Sequence, residues 1–256
     1  MSPARPLASA LLALVLLGAL GVCATTAGGG GTPAVVATNP ADPWERWNRA
    51  VFGFNDAVDN AVLIPVATAY RDFVPQPVRT GVNNFFGNMT DLWSAANHLM
   101  QGKVEDGLLM GTRVMANSVF GIGGLIDIAA DMGLERQSED FGQTLGVWGF
   151  GPGPYMVLPF LGPSTVRDAL ATPVDWYGTP PRWTDENVGY GLLVLKLVDI
   201  RAGLLTASRI LDQIALDRYN FLRDAYLSRR RNQVYDGNPP ELPEESGESE
   251  EPLPPK

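Results

Sequence analysis

Histidine and cysteine are almost missing from this chain of 256 residues, which has one His, His98, and one Cys, Cys23. A single thiol closes no internal disulfide and builds no Cys-based zinc site. His98 lies beside Asn97 in a helix-like segment with no second ligand candidate, and reads as an interfacial or internally satisfied side chain. That leaves no multi-His metal site and no free imidazole for Ser-His-Asp or Cys-His catalysis. Charge is also scarce, at 18% of residues against about 25% in an ordinary soluble domain. What charge there is leans acidic, with 19 Lys and Arg against 28 Asp and Glu and a formal net charge of -9. A sequence pI near 4.6 denies the chain the basic footprint that nucleic acid requires. Beyond the amino-terminal segment no run of about 18 uncharged apolar residues occurs, so no conventional transmembrane helix is expected there. Ten-residue alternating segments do not recur either, which excludes an outer-membrane barrel. No internal repeat is visible.

The amino terminus is an address. Leu7 to Leu20 is a nearly unbroken run of Leu, Ala and Val behind Arg5, too short for a membrane span and suited to a secretory signal over residues 1–22. Cys23 follows directly in Leu20-Gly21-Val22-Cys23, a sequence similar to a bacterial lipoprotein cleavage box in which the thiol takes a diacylglyceryl group. Val22 departs from the small residue such a box carries before its Cys, and ordinary cleavage after Ala24 or Ala27 is the other reading. Residues 23–38 hold four consecutive glycines, Gly28 to Gly31, and read as a flexible tether. Residues 236–256 contain six Pro and six Glu and read as a disordered acidic tail. With seven acids against one Lys, this tail holds six of the nine net negative charges, so the body over residues 39–235 is nearly neutral.

The body has the pattern of an all-α fold. Asp42-Pro43-Trp44-Glu45 predicts a helix start with Asp42 as its N-cap. Trp47, Val51, Phe54 and Val58 continue at helical spacing, with an end expected near Pro65. Val78 to Met100 is helix-like, as two pieces around Gly87-Asn88, and Lys103 to Phe120 forms another helix. Leu192 to Val234 gives the longest helical stretch, with a break expected near Gly203, and its basic end, Arg223 to Arg231, suits the helix dipole. Tyr155 to Leu161 is the best strand candidate, interrupted by Pro159. Thr165 is a plausible N-cap with Asp168 at the third helical position, so Arg167-Asp168 reads as a clasp of the fold.

Chemistry-bearing motifs are weak. Gly121-Ile-Gly-Gly124 lacks both the dinucleotide fingerprint and the Lys-Ser/Thr of a P-loop, and reads as close backbone packing. Asp127, Asp131, Glu135, Glu139 and Asp140 are numerous enough for a carboxylate pair, but no spacing selects one, and charges in a loop are ordinarily solvated. Trp44, Trp47, Phe52, Phe54, Phe73, Phe85, Phe86 and Trp93 crowd one part of the chain. Such density makes a core, or fits helices lying in a membrane interface.

Several stretches in order resemble the VacJ/MlaA family of outer-membrane lipoproteins: Asn39-Pro-Ala-Asp-Pro-Trp-Glu-Arg-Trp-Asn-Arg49, Tyr70-Arg-Asp-Phe-Val-Pro-Gln-Pro77, Gly121 to Ala129, Phe141-Gly-Gln-Thr-Leu-Gly146, Gly151-Pro-Gly-Pro-Tyr155, Leu158-Pro-Phe-Leu-Gly-Pro163 and Arg223-Asp-Ala-Tyr226. The resemblance spans roughly Asn39 to Arg231. It implies a ring of amphipathic helices with Gly/Pro-rich connections, seated mainly in the inner leaflet of the outer membrane and enclosing an amphipathic channel. Phospholipids misplaced in the outer leaflet would pass through this channel to a soluble periplasmic carrier, and the family also associates with trimeric porins. The role is not enzymatic, and neither cofactor nor metal is implied. Non-helical backbone at membrane depth is tolerable only where it lines a wet cavity or packs in protein. Gly149 to Pro163 is therefore expected at the channel or its gate, with Gly151, Gly153 and Tyr155 as candidates there, and Asn55, Asn83 and Asn84 as candidates for the channel wall. The alternatives are a secreted structural or envelope-tethering helical protein without a channel and, a distant third, a periplasmic hydrolase.

Overall fold

The computed structural model describes residues 39–179 and 185–241. The signal segment, Cys23, the tether and most of the acidic tail lie outside the described residues. Within them the all-α expectation holds, and the sheet they contain is a single two-stranded hairpin.

The first helix runs past its expected stop. α1 (Glu45–Val58) passes through a π-turn (Asp59–Leu63) into α2 (Ile64–Phe73) without interruption. Pro65 removes a backbone donor and crowds the carbonyl four residues back, which usually ends or kinks a helix. Here Ile64 N–H reaches back five residues to Asp59 O, and the widened turn admits the proline ring. The continuous helix of 29 residues is, by length and composition alone, able to cross a membrane, although Asp56 and Asp59 fall inside it and leave it without an uncharged apolar run of about 18 residues. Its middle is tied to protein on one side: Arg201 holds Asp59 through two hydrogen bonds of 2.7 and 2.8 Å, and Arg218 holds Asp56 at 2.9 Å.

Asp42 is not the cap of α1. Trp44 holds the N-cap position with no side-chain hydrogen bond. Asp42 is instead buried, accepting from Asn48 Nδ2 at 2.8 Å, from Tyr219 Oη, and from Arg223 Nη1 at 3.5 Å. A buried cation and two further donors outbid the N–H groups of a helix start for this carboxylate.

α3 (Gln76–Met100) is one helix of 25 residues rather than two, because Gly87 marks a close approach and not a break. A Cβ there would stand 2.6 Å from Arg136 Nη1. The buried stripe of α3 is polar, with Asp91, Ser94, Asn97 and His98 at 0–1% exposure, while Leu92 and Leu99 face outward. α4 (Val104–Val119) pairs with α3. The Gly121–Gly124 turn leads from it into the short α5 (Ile128–Asp131). A Cβ on Gly121 would lie 2.1 Å from Ile126 O, so the glycines do serve backbone packing.

After α6 (Phe141–Val147), strands β1 (Tyr155–Leu158) and β2 (Gly162–Thr165) pair antiparallel, Tyr155 opposite Thr165 and Leu158 opposite Gly162. The turn that begins at Pro159 ends the expected strand at Leu158, and its partner β2 lies beyond the expected stretch. Thr165 caps α7 (Val166–Gly178), accepting from Asp168 N–H at 3.3 Å as expected. α8 (Glu186–Ile214) runs straight through Gly203, and the break falls later, at Ala215, before α9 (Arg218–Val234).

Neighbour contacts close a circuit. α2 packs on α8, α8 on α3, α3 on α6, α6 on α9, α9 on β2, and β1 on α1. The apolar core is correspondingly small and divided. One cluster gathers Val51, Tyr155, Val157 and Tyr219, and another Ala67, Ala202 and Leu205.

Candidate functional site

The distribution of side chains is inverted relative to a soluble domain. Among the described residues forty large hydrophobic side chains are exposed, while thirteen apolar residues, six of them Ala, are buried. Nineteen buried residues are polar or charged. Water alone does not select this arrangement, because exposed apolar area costs about 25 cal/mol per Å² and charges are rarely buried without need. The exposed set includes Trp47, Phe73, Leu108, Phe120, Leu170, Val194 and Ile214, spread over nearly every helix.

Most of the buried charges are matched. Arg230 binds Asp140 with both terminal nitrogens and Asp168 with Nε at 2.9 Å, and Tyr226 Oη donates to Asp168 at 2.8 Å. Burial alone would push the Asp168 carboxyl up, but Arg230, Arg167 and Tyr226 outweigh it and hold the group below the usual carboxylate range. Arg113, 1% exposed, binds both oxygens of Asp127 at 3.0 Å and shares Asp91 with Arg136. Glu139 meets Gln101 at 2.9 Å and Lys103 at 3.4 Å. Its carboxyl is nevertheless pushed up, chiefly by burial. So the loop acids are not uniformly solvated: Asp131 and Glu135 are exposed, but Asp127, Glu139 and Asp140 are structural ion partners. His98 is buried with Nε2 3.2 Å from Gln137 O, but Nδ1 is buried without a hydrogen-bond partner among the described residues, so the expected satisfied histidine is satisfied at one ring nitrogen. No group of three or more His, Cys, Asp or Glu among the described residues is placed to hold a metal ion.

Asn48 and Asn55, two turns apart on α1, complete the outer edge of β1. Asn48 Nδ2 donates to Tyr155 O at 3.1 Å and Val157 N–H donates to Asn48 Oδ1 at 2.9 Å. Asn55 Nδ2 donates to Leu158 O at 2.9 Å and Phe160 N–H donates to Asn55 Oδ1 at 2.8 Å. Each amide copies a stretch of neighbouring strand, so the edge carries no idle donors. Asn55 thus grips the hairpin.

The other candidates are scattered. Asn84 Nδ2 donates to Leu125 O at 3.1 Å, and Asn83 Nδ2 to Asp199 Oδ2 at 3.2 Å. Tyr155 is 1% exposed, within the aromatic cluster of Tyr219 and Tyr226. Gly151 and Gly153 are exposed on the segment leading to the hairpin. Nothing lies within 4 Å of a Cβ built on Gly151, whereas Gly153 has φ +66°, a conformation that favours glycine. Phe150 and Phe160, at the two ends of this stretch, are 60% and 69% exposed.

Two cavities with charged residues in their walls flank α8. One, of about 250 Å³, lies beside the π-turn and is lined by Asp56, Asp59, Arg201, Arg209, Asp212 and Arg218 among others. The second, of about 190 Å³, is walled by Asn83, Phe86, Gly87, Thr90 and Asp91 of α3, by Lys196, Asp199 and Ile200 of α8, and by Arg136 and Ser138. Lys196 was missed in the sequence, although its signal was there: it is the lone cation of the apolar run Leu192-Leu-Val-Leu-Lys-Leu-Val198. Burial lowers its pKa.

Helices greasy outside, ionic inside and closed in a contact circuit define a protein made for a lipid environment. The comparisons agree. The model of the MlaA lipoprotein family matches residues 40–233, and the chain belongs to that family. It is 38% identical over 193 residues to the intermembrane phospholipid transport system lipoprotein MlaA of Escherichia coli K12, covering 74% of this chain and 76% of that one. The protein of the same name from Haemophilus influenzae is 33% identical over 209 residues, covering 77% and 80%. A solved chain from work on the structural basis for maintenance of bacterial outer membrane lipid asymmetry superposes with a TM-score of 0.67 at 34% identity, over 77% of this chain and 99% of that chain.

Proposed function

We propose that this chain is the outer-membrane component of a phospholipid transport system, a non-enzymatic conduit that removes phospholipids from the outer leaflet and passes them to a periplasmic carrier. The inverted distribution of side chains carries this reading. Helices with apolar outer faces settle in one leaflet, each satisfying its own backbone, while the polar interior accepts a headgroup that cannot cross hydrocarbon unaided. The long helix α1–α2, pinned at Asp56 and Asp59, lies along the assembly as part of this wall. The stretch from Gly149 to Pro163, exposed on either side of the buried Tyr155 and Val157, borders the opening, with Gly151 and Gly153 allowing its first part to move. Cys23 supplies a lipid anchor, and a trimeric porin is the membrane partner that would seat the outer faces. A tethering protein without a conduit explains the anchor but not the polar interior.

Fractionating membranes of a strain that lacks this protein, complemented with the wild-type chain, Cys23→Ser or Gly151→Trp, tests the reading. Phospholipid exposed in the outer leaflet should fall to background with the wild type. Gly151→Trp, whose Cβ would meet no atom within 4 Å, should remain in the outer membrane yet change the exposed lipid several-fold. Unchanged outer-leaflet phospholipid on loss of the protein would sink the conduit, and a wild-type chain that stays soluble would sink the membrane seat.

A further inference from the structure

The cavity between α3 and α8 contains two charges that the fold leaves unanswered. Lys196, half-buried, makes no hydrogen bond or ion pair among the described residues. Asp199, one turn on and 8% exposed, receives only neutral donors, Tyr70 Oη at 3.0 Å and Asn83 Nδ2 at 3.2 Å. Lys and Asp three residues apart on a helix are ordinarily within reach of each other, yet these two do not pair. A third charge borders them, itself matched within the fold. Arg136 lies across Gly87, bonded through Nε to Asp91 and paired through Nη2 with Asp127 at 3.5 Å, and its side chain is 30% exposed. The remaining walls offer the hydroxyls of Thr90 and Ser138.

Unmatched charges of both signs in one pocket are costly apart and cheap together. A ligand carrying a fixed anion and a fixed cation a few bonds apart would match both at once. Each oxygen of Asp199 accepts one bond already and retains a lone pair for an N–H donor. A primary ammonium can use it. A quaternary ammonium has no N–H and is held by aromatic cages, and the only aromatic side chain lining this cavity among the described residues is Phe86. Ile200 on the rim and Leu197 beside it are about half exposed, which continues an apolar path away from the polar pocket.

We propose that this cavity is a headgroup subsite for a zwitterionic, primary-amine phospholipid, with the phosphodiester on Lys196 and Arg136 and the ammonium on Asp199. The assignment rests on the lipid-conduit reading above and names the substrate class within it. The test uses the full chain purified in detergent, titrated with dihexanoyl phosphatidylethanolamine, phosphatidylcholine and phosphatidylglycerol. The ethanolamine lipid should bind about tenfold more tightly than the other two. Asp199→Asn should erase that preference by weakening the ethanolamine lipid alone, and Lys196→Met should weaken all three alike. Tyr70→Phe, which removes a donor but keeps the carboxylate, should retain the preference. It thereby separates charge recognition from a general loss of folding. Phosphoethanolamine without chains should compete poorly; competition as strong as the lipid's would overturn the lipid assignment in favour of a soluble ligand. Equal affinities of the wild type for all three lipids would overturn the headgroup proposal while leaving the conduit intact. Failure to bind any of them would sink the conduit as well.

Discussion

The two cavities beside α8 differ in how their charges are arranged. Beside the π-turn, Arg201 locks Asp59, and Arg218 reaches both Asp56 and Asp212 at 2.9 Å. Each anion there has its cation, and the pairs fasten α1 and the π-turn to α8 and α9. Between α3 and α8, Lys196 and Asp199 stand near each other without pairing. Matched charges hold a fold; unmatched ones in a pocket wait for a partner from outside.

That contrast is sharpest where matched charge is most deeply buried. Asp168→Asn should lower stability by about 3 kcal/mol, because it strips Arg230 and Arg167 of a buried partner, read as a fall in the thermal unfolding midpoint. The pH dependence gives a second reading. The folded pKa of Asp168 is lowered, so its stabilisation is fully present above the ordinary aspartate value and fades as pH falls through the lowered one. The folded pKa of Glu139 is raised by burial, so its contribution has the opposite sign, and stability declines as pH rises through the interval between the ordinary and raised values. Comparing Asp168→Asn and Glu139→Gln with wild type between about pH 3 and 7 should show opposite slope changes. Equal changes would break the distinction.

Arg201→Met should cost less, about 1–2 kcal/mol, since the Asp59 it leaves behind is partly solvated and can recover water. The loss should appear as faster amide exchange through the π-turn, where the pair pins the widened backbone. Lys196→Met should have the smallest effect on stability, within about 0.5 kcal/mol and in the stabilising direction, because an unpaired ammonium with a burial-lowered pKa opposes folding while charged. Wild-type stability should accordingly rise with pH as that ammonium deprotonates, and the variant should lose this rise. A clear destabilisation by Lys196→Met would put the residue among the structural charges and remove the contrast.

Much of the fold was legible, and the failures share a cause. The apolar spacing from Trp47 to Val58 located α1, the Thr165–Asp168 cap located α7, and the Gly121–Gly124 run was rightly separated from phosphate loops. Pro65, Gly87 and Gly203 misled, because each breaks a helix in isolation and none does here. A π-turn accommodates Pro65, the guanidinium of Arg136 occupies the space above Gly87, and α2 packs along the helix that contains Gly203. Asn55, Asn83 and Asn84 were expected at the channel wall, and each donates to another part of the protein. That Asn48 and Asn55 serve as substitute strand edges depends on β1 lying against α1, more than a hundred residues away in the chain.

The sequence by itself determined that the chain is helical, almost free of His and Cys, a member of the MlaA lipoprotein family, and poor in charge. Those are properties of composition and local period, which neighbours a few residues apart enforce. Only the tertiary structure decided which charges are spent on holding helices together and which, like Lys196 and Asp199, are left over. Pairing is set by distance and burial, and both arise only when α3, α8 and the loop that carries Arg136 are brought together.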